Sequence, residues 1–171
     1  MSELELEHTG VDFGTGPRWH AGRLWFSGLY RHAVFSLGED GERIEVQLDD
    51  QPSGLGWLPD GTLLVVAMTT QRLLADGEVR RVDHPLRFPN GSVITPDGAT
   101  LIVGETQGGR YTAFTIDDDG HPVDPYVWVA IEGGTPDGCC LDAEGAIWMS
   151  DVRSNGSSGS IATARSAASS P

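Results

Sequence analysis

One pattern recurs four times along this chain: a polar opening beside Gly and Pro, an apolar stretch, a Gly turn, then a second and stronger apolar run. The openings are Gly16-Pro17-Arg18-Trp19, Pro52-Ser53-Gly54-Leu55, Pro89-Asn90-Gly91-Ser92 and Pro136-Asp137-Gly138-Cys139. Their prolines are 35, 37 and 47 residues apart. Self-similarity with a period near forty, built from short strand-like segments, is the signature of a radial β repeat such as a propeller blade. Such repeats bring equivalent positions to one shared location.

Each unit begins as a hairpin. The turns fall at Ala21-Gly22, Asp60-Gly61, Asp97-Gly98 and Glu144-Gly145, and apolar runs follow at Arg23-Leu24-Trp25-Phe26, Leu63-Leu64-Val65-Val66-Ala67, Leu101-Ile102-Val103-Gly104 and Ala146-Ile147-Trp148-Met149. A glycine between two apolar runs signals a hairpin because it accepts the positive φ that tight turns require. In the first three units a third run, another turn (Asp40-Gly41, Asp76-Gly77, Asp119-Gly120) and a weaker fourth run follow. The expected fold is therefore all-β, a partial β-propeller of about three and a half four-stranded blades. Residues 1–10 form a leading segment, 11–153 the propeller, and 154–171 a Ser/Ala/Gly-rich tail that cannot bury a core and is expected to be disordered.

Composition closes off several chemistries. All eleven basic residues are arginine, which excludes a Schiff-base, phosphate-loop or general-base lysine. A formal net charge of −14 argues against nucleic acid as a partner, since phosphate binding needs cationic neutralisation. No run approaches the ~20 apolar residues of a membrane span, and the acidic start Met1-Ser2-Glu3-Leu4-Glu5 lacks the apolar centre of a signal peptide. These readings predict a cytoplasmic protein without membrane partners.

Four further motifs are read as structural. Cys139 and Cys140 are adjacent, where a disulfide would be strained, and are expected to be two buried small hydrophobes. Asp117-Asp118-Asp119-Gly120 lacks the bidentate Glu of a calcium loop, Tyr126 standing in its place, and reads as a solvated hairpin turn. The glycines of Gly14-Thr15-Gly16 and Gly54-Leu55-Gly56 read as turn glycines, because Trp19 and Pro59 occupy the third position of a dinucleotide fingerprint. The five histidines have no nucleophile in a recognisable triad context.

Register between repeats isolates the candidate site. Ser53, Asn90 and Asp137 each lie eight residues before a turn glycine, and Thr15 lies seven before Gly22. If the first strand of every blade lines the channel, these four positions converge on one polar spot, where a carboxylate and a carboxamide oxygen suit a hard divalent cation. The competing reading is that Pro-Asn-Gly and Pro-Asp-Gly are ordinary turn tripeptides.

The segments Gly16-Pro17-Arg18-Trp19-His20, Pro89-Asn90-Gly91 through Asp97-Gly98, and Thr135-Pro136-Asp137-Gly138-Cys139-Cys140 through Trp148 resemble the SMP-30/gluconolactonase/LRE family. The resemblance covers most of residues 11–153. It implies a six-bladed propeller with a divalent metal (Ca, Zn, Mn or Mg) on its axis and hydrolysis of sugar-acid lactones, with a small-molecule lactone as substrate. It assigns Asn90 and Asp137 as metal ligands and Asp137 as the catalytic general base.

Three departures qualify that implication. Thr15 stands where the family carries a liganding Glu, so a site built on Asn90 and Asp137 keeps a single carboxylate. About one family blade is absent between Leu74 and Ala75, leaving a hybrid second blade, and the apolar periodicity stops after Arg153. Three and a half blades fall short of the four to eight of a closed ring, and the open strand edges predict self-association. The expectation is a family member with weak metal binding and doubtful lactonase activity; the alternative is an inactive remnant or a non-catalytic propeller binding module.

Overall fold

The computed structural model describes residues 9–70, 72–75, 78–80, 84–153 and 160–162, with residues 72–75, 78–80 and 160–162 described at the level of the backbone. Their secondary structure is entirely β, in four antiparallel sheets. The first contains β1 (Gly14–His20), β2 (Arg23–Gly28), β3 (Ala33–Gly38) and β4 (Gly41–Gln47). The second contains β5 (Pro52–Trp57), β6 (Leu63–Ala67), β7 (Arg72–Ala75) and β8 (Glu78–Arg80). The third is built from β9 (Pro89–Ile94), β10 (Thr100–Glu105), β11 (Arg110–Ile116) and β12 (Pro122–Ala130), and the fourth from β13 (Pro136–Leu141), β14 (Ile147–Asp151) and β15 (Ser160–Ala162). In every sheet the strands pair in chain order.

Turn chemistry sets this meander. Ala21 and Gly22 connect β1 to β2 with φ of 49° and 76°, and positive φ at both central residues is the two-residue turn that matches strand twist. Elsewhere an aspartate fixes the bend by accepting backbone N–H groups just ahead of it. Asp97 Oδ1 accepts from Ala99 N at 3.0 Å, and Asp142 Oδ1 accepts from Glu144 N at 3.0 Å and Ala146 N at 2.8 Å. The Asp117-Asp118-Asp119-Gly120 segment is such a turn, with Asp117 Oδ1 accepting from Asp119 N at 3.1 Å and His121 N at 2.7 Å. The Asp76-Gly77 turn lies outside the described residues.

The sheets stack face to face, and alternation along each strand supplies both interfaces. On β10, Leu101 and Val103 join Val66 of the second sheet, whereas Ile102 between them packs with Cys139, Ile147 and Met149 of the fourth. A strand buried on both faces reads as a continuous apolar run, which is why Leu101-Ile102-Val103 shows no polar alternation. Val34, Leu55 and Val65 close the interface between the first and second sheets. Full burial of each such side chain contributes about 1.5–3 kcal/mol, so interfaces rather than single sheets stabilise the fold.

One sequence expectation is met here and one changes in part. The hybrid second blade forms as a four-stranded sheet. Within the segment expected to be disordered, Ser160–Ala162 pairs antiparallel with β14, Trp148 opposite Ile161, because an unpaired strand edge offers a row of free N–H and C=O groups. The rest of residues 154–171 lies outside the described residues.

Candidate functional site

Thr15, Ser53, Asn90 and Asp137 each occupy the second position of the first strand of their sheet. Those strands pack against one another, β1 on β5, β5 on β9, β9 on β13, with β13 returning to β1. Each of the four hairpins also slips register near this position: between Thr15 and Arg18, Pro52 and Leu55, Val103 and Glu105, and Pro136 and Cys139. A bulge re-aims the side chain beside it, and here the same device recurs in every unit.

The glycines beside these residues are not turn glycines. Pro89-Asn90-Gly91 and Pro136-Asp137-Gly138 lie inside β9 and β13, as Gly16, Gly54 and Gly56 lie inside β1 and β5. At Gly91 and Gly54 what requires glycine is close approach. A Cβ on Gly91 would stand 2.3 Å from Asp137 O and 2.8 Å from Cys139 N, and one on Gly54 would stand 2.7 Å from Ser92 N. Local chemistry favours a turn for these tripeptides; convergence of the inner strands overrides it.

Ser53 and Asn90 are brought together and Asp137 is held apart. Ser53, 1% exposed, donates from Oγ to Asn90 Oδ1 at 3.0 Å. Asn90 Nδ2 donates to Thr106 Oγ1 at 3.4 Å, and Thr106 Oγ1 donates to Pro136 O at 2.5 Å. This relay reaches the strand of Asp137 through its backbone. Asp137 itself is half-buried, and among the described residues its carboxylate accepts no hydrogen bond and makes no ion pair. Thr15 and Ser53 line a cavity of about 380 Å³ together with Arg18, Cys140, Trp148 and Ser150; Asn90 and Asp137 do not line it.

The donor set does not fit a tight divalent-cation centre. Among the described residues no three His, Cys, Asp or Glu side chains gather where a metal ion could be held. Asn90 Oδ1 is already an acceptor for Ser53, and Thr15 contributes a neutral hydroxyl, leaving Asp137 as the one anionic donor of the four. Affinity for a hard cation follows ligand charge, and one carboxylate supplies little.

Two residues that sequence reasoning passed over organise the surroundings. Arg18 crosses from β1 to donate from Nη2 to Ser92 O at 2.7 Å and Cys139 O at 3.1 Å, tying β9 and β13 together. Glu105, at 0% exposure, ends β10 and accepts from Arg110 Nε at 2.6 Å, Thr112 Oγ1 at 2.5 Å and Arg87 N at 2.7 Å. Burial alone would raise its carboxyl; the Arg110 guanidinium, the Thr112 hydroxyl and the Arg87 N–H outweigh that and hold it below the ordinary 4.5. The sequence signal was an acid closing an apolar run with an arginine five residues on.

The cysteine expectation is corrected for one of the pair. Both thiols are free, but only Cys139 is buried, its thiol pushed up to about 11 chiefly by burial, whereas Cys140 is exposed. Adjacent residues of a strand point to opposite faces, and the fourth sheet has one face in the core and one open, as Ile147, Trp148, Met149 and Ser150 show by alternating buried and exposed.

Stacked antiparallel sheets, entered in order through converging first strands, define a propeller-type protein. The chain belongs to the SMP-30/gluconolactonase/LRE-like family, whose model matches residues 70–158. No curated protein matches it significantly. Solved structures share the fold at low identity. Virginiamycin B lyase from Staphylococcus aureus is 16% identical with a TM-score of 0.62 over 82% of this chain and 49% of the lyase. A nidogen/laminin complex chain gives 18% and 0.67 over 82% and 57%, and a gluconolactonase from Xanthomonas campestris gives 20% and 0.51 over 82% and 70%. This chain thus spans about half the length of the lyase.

Proposed function

We propose that this chain is a lactonase-family propeller that retains the family's candidate base and carboxamide on its converging first strands and hydrolyses sugar-acid lactones negligibly. One observation carries the reading: Thr15 stands at the position of the second acid while Ser53 Oγ occupies the oxygen of Asn90. Two of the four equivalent positions therefore supply hydroxyls instead of charge, and that of Ser53 closes on Asn90.

A second reading, an active hydrolase, draws on Asp137. A half-buried carboxylate without a hydrogen bond among the described residues can accept a proton from water as that water attacks a lactone carbonyl carbon. The ring C–O bond then breaks, its oxygen takes up a proton, and the open hydroxy acid leaves. Resemblance to lactone hydrolases supports this chemistry for Asp137.

Hydrolysis of gluconolactone by the purified chain, with Mn²⁺, Zn²⁺, Ca²⁺ or Mg²⁺ added in turn, separates the two. The expected rate is that of buffer with the same ion. Robust turnover abolished by Asp137→Ala would overturn the proposal in favour of the active hydrolase.

A further inference from the structure

At the far ends of β1 and β5, five strand residues from Thr15 and so roughly 16 Å away, lies a second cavity of about 700 Å³ between the first and second sheets. Its walls are aromatic. His20 stacks on Trp57 with ring centroids 4.0 Å apart and planes 8° from parallel. Trp25 stands across both, at 80° to Trp57 with centroids 5.3 Å apart and at 73° to His20. Beyond the rings the lining is Glu45 and Gln47 on β4 with the aliphatic Val46, Leu63 and Val65.

The polar groups of this cavity are partly committed to the fold. Trp25 Nε1 is committed to His20 O at 3.1 Å, and Gln47 Nε2 to Arg31 O at 3.1 Å and His32 O at 2.9 Å. What is left for an occupant is the carbonyl oxygen of Gln47 and, among the described residues, the ring N–H groups of His20 and Trp57. Glu45 adds a carboxylate, anchored through Oε1 by the Ser36 hydroxyl, which itself accepts from Arg23 Nε at 2.7 Å. No arginine lines the cavity among the described residues; nearby Arg23 pairs with Asp40, and Arg31 with Glu42 at 3.1 Å. Carboxylate, amide oxygen and indole faces are all electron-rich.

We propose that this cavity is a binding site for an organic ammonium ion with apolar substituents, its cationic head against the Trp25 and Trp57 indoles, of which Trp57 has one face covered by His20, and its charge balanced by Glu45. Indole is the strongest side-chain partner for such a head, and perpendicular rings beside a carboxylate satisfy its apolar surface and its charge together. A neutral sugar would also stack on tryptophan and find donors in Trp57 Nε1–H and the His20 ring, but it would leave the Glu45 carboxylate without a counter-charge, which favours the ammonium and makes the disaccharide the competing probe. A volume of this size accommodates a small molecule without rearrangement. The formal net charge of −14 adds a general attraction for cations.

Choline is the probe. Titrated into the full chain with tryptophan fluorescence as the readout, it is expected to give a saturable change in the millimolar range, with its uncharged carbon isostere 3,3-dimethyl-1-butanol about tenfold weaker. Glu45→Gln, at an exposed position that burial does not constrain, weakens choline about threefold and leaves the isostere unchanged. Trp57→Leu weakens choline further, Trp57→Phe less so, with circular dichroism confirming the fold of each. Equal binding of the isostere, tighter binding of a neutral disaccharide, an unchanged choline affinity in Glu45→Gln, or no saturation with choline would each overturn the assignment.

Discussion

Two acids on the packed strands β10 and β13 are held in opposite ways. Glu105 closes β10 and Asp137 opens β13, and the residues flanking Glu105 touch Pro136: a Cβ on Gly104 would stand 3.2 Å from Pro136 Cβ, and Thr106 Oγ1 donates to Pro136 O. Yet Glu105 is wholly buried with donors from three residues, while Asp137 is half-buried and accepts no hydrogen bond among the described residues. An acid whose acceptor capacity is filled from within serves the fold. One whose capacity is left open stays available to an outside proton or ion, which is what the role proposed for Asp137 requires.

Removing the filled acid has the largest effect. Glu105→Ala leaves the Thr112 hydroxyl and the Arg87 N–H without their acceptor and Arg110 without its counter-ion, and is expected to cost about 3 kcal/mol in urea denaturation. Arg110 is 30% exposed and regains water, which keeps the loss at the lower end of that for a broken buried pair. A loss below about 1 kcal/mol would mean the cluster behaves as a surface ion pair.

The same acid predicts a pH dependence. Its folded-state pKa lies below the ordinary 4.5, so the unfolded chain takes up the proton first as pH falls. The stabilisation is therefore complete above that value and lost as pH drops below it through the folded pKa. Asp50 and Asp97 are depressed as well and share the window, so the share of Glu105 is the difference between acid titrations of the wild type and Glu105→Gln. Glu105→Gln should show the shallower acid arm.

How far the sequence reached follows from the range of the forces involved. Hairpins at Gly22, Gly61, Gly98 and Gly145 were legible because turn chemistry is contained within a few neighbouring residues, and all four adopt positive φ. The shared register of Thr15, Ser53, Asn90 and Asp137 was legible because each lies seven or eight residues before the turn glycine of its own hairpin, and each stands second in the first strand of its sheet. What the side chains do there was not. Ser53 and Asn90 are 37 residues apart, and Arg18 reaches Ser92 and Cys139 across 74 and 121 residues, separations over which no local pattern operates. Pro-Asn-Gly was ambiguous for the same reason, since the backbone it must admit belongs to another sheet.

That packing offers a test of intermediate size. Gly91 and Gly138 follow Asn90 and Asp137 at matched positions, but a Cβ on Gly91 meets backbone at 2.3 Å whereas one on Gly138 meets only Ser150 Oγ at 3.4 Å. Gly91→Ala is expected to destabilise by about 2 kcal/mol and Gly138→Ala by no more than about 0.5 kcal/mol. Equal losses in thermal melts would show that β9 and β13 approach no more closely than β13 and β14.

The smallest effect on stability belongs to Asp137, and it sharpens the contrast most. With no hydrogen bond to break among the described residues, Asp137→Ala should change stability by less than about 0.5 kcal/mol. The open acid can then be probed by adding charge near it. Thr15→Glu places a second carboxylate at the matching position of β1 and should raise divalent-cation affinity, read by calorimetry with Mn²⁺ or Ca²⁺. Asn90 Oδ1 would still be engaged by Ser53, so the gain in lactonase activity is expected to be slight; Thr15→Glu combined with Ser53→Ala releases that oxygen and should bind the ion more tightly than Thr15→Glu alone. If Thr15→Glu leaves cation affinity at the wild-type level, positions 15 and 137 do not face one site, and the four matched residues share a register without sharing a function.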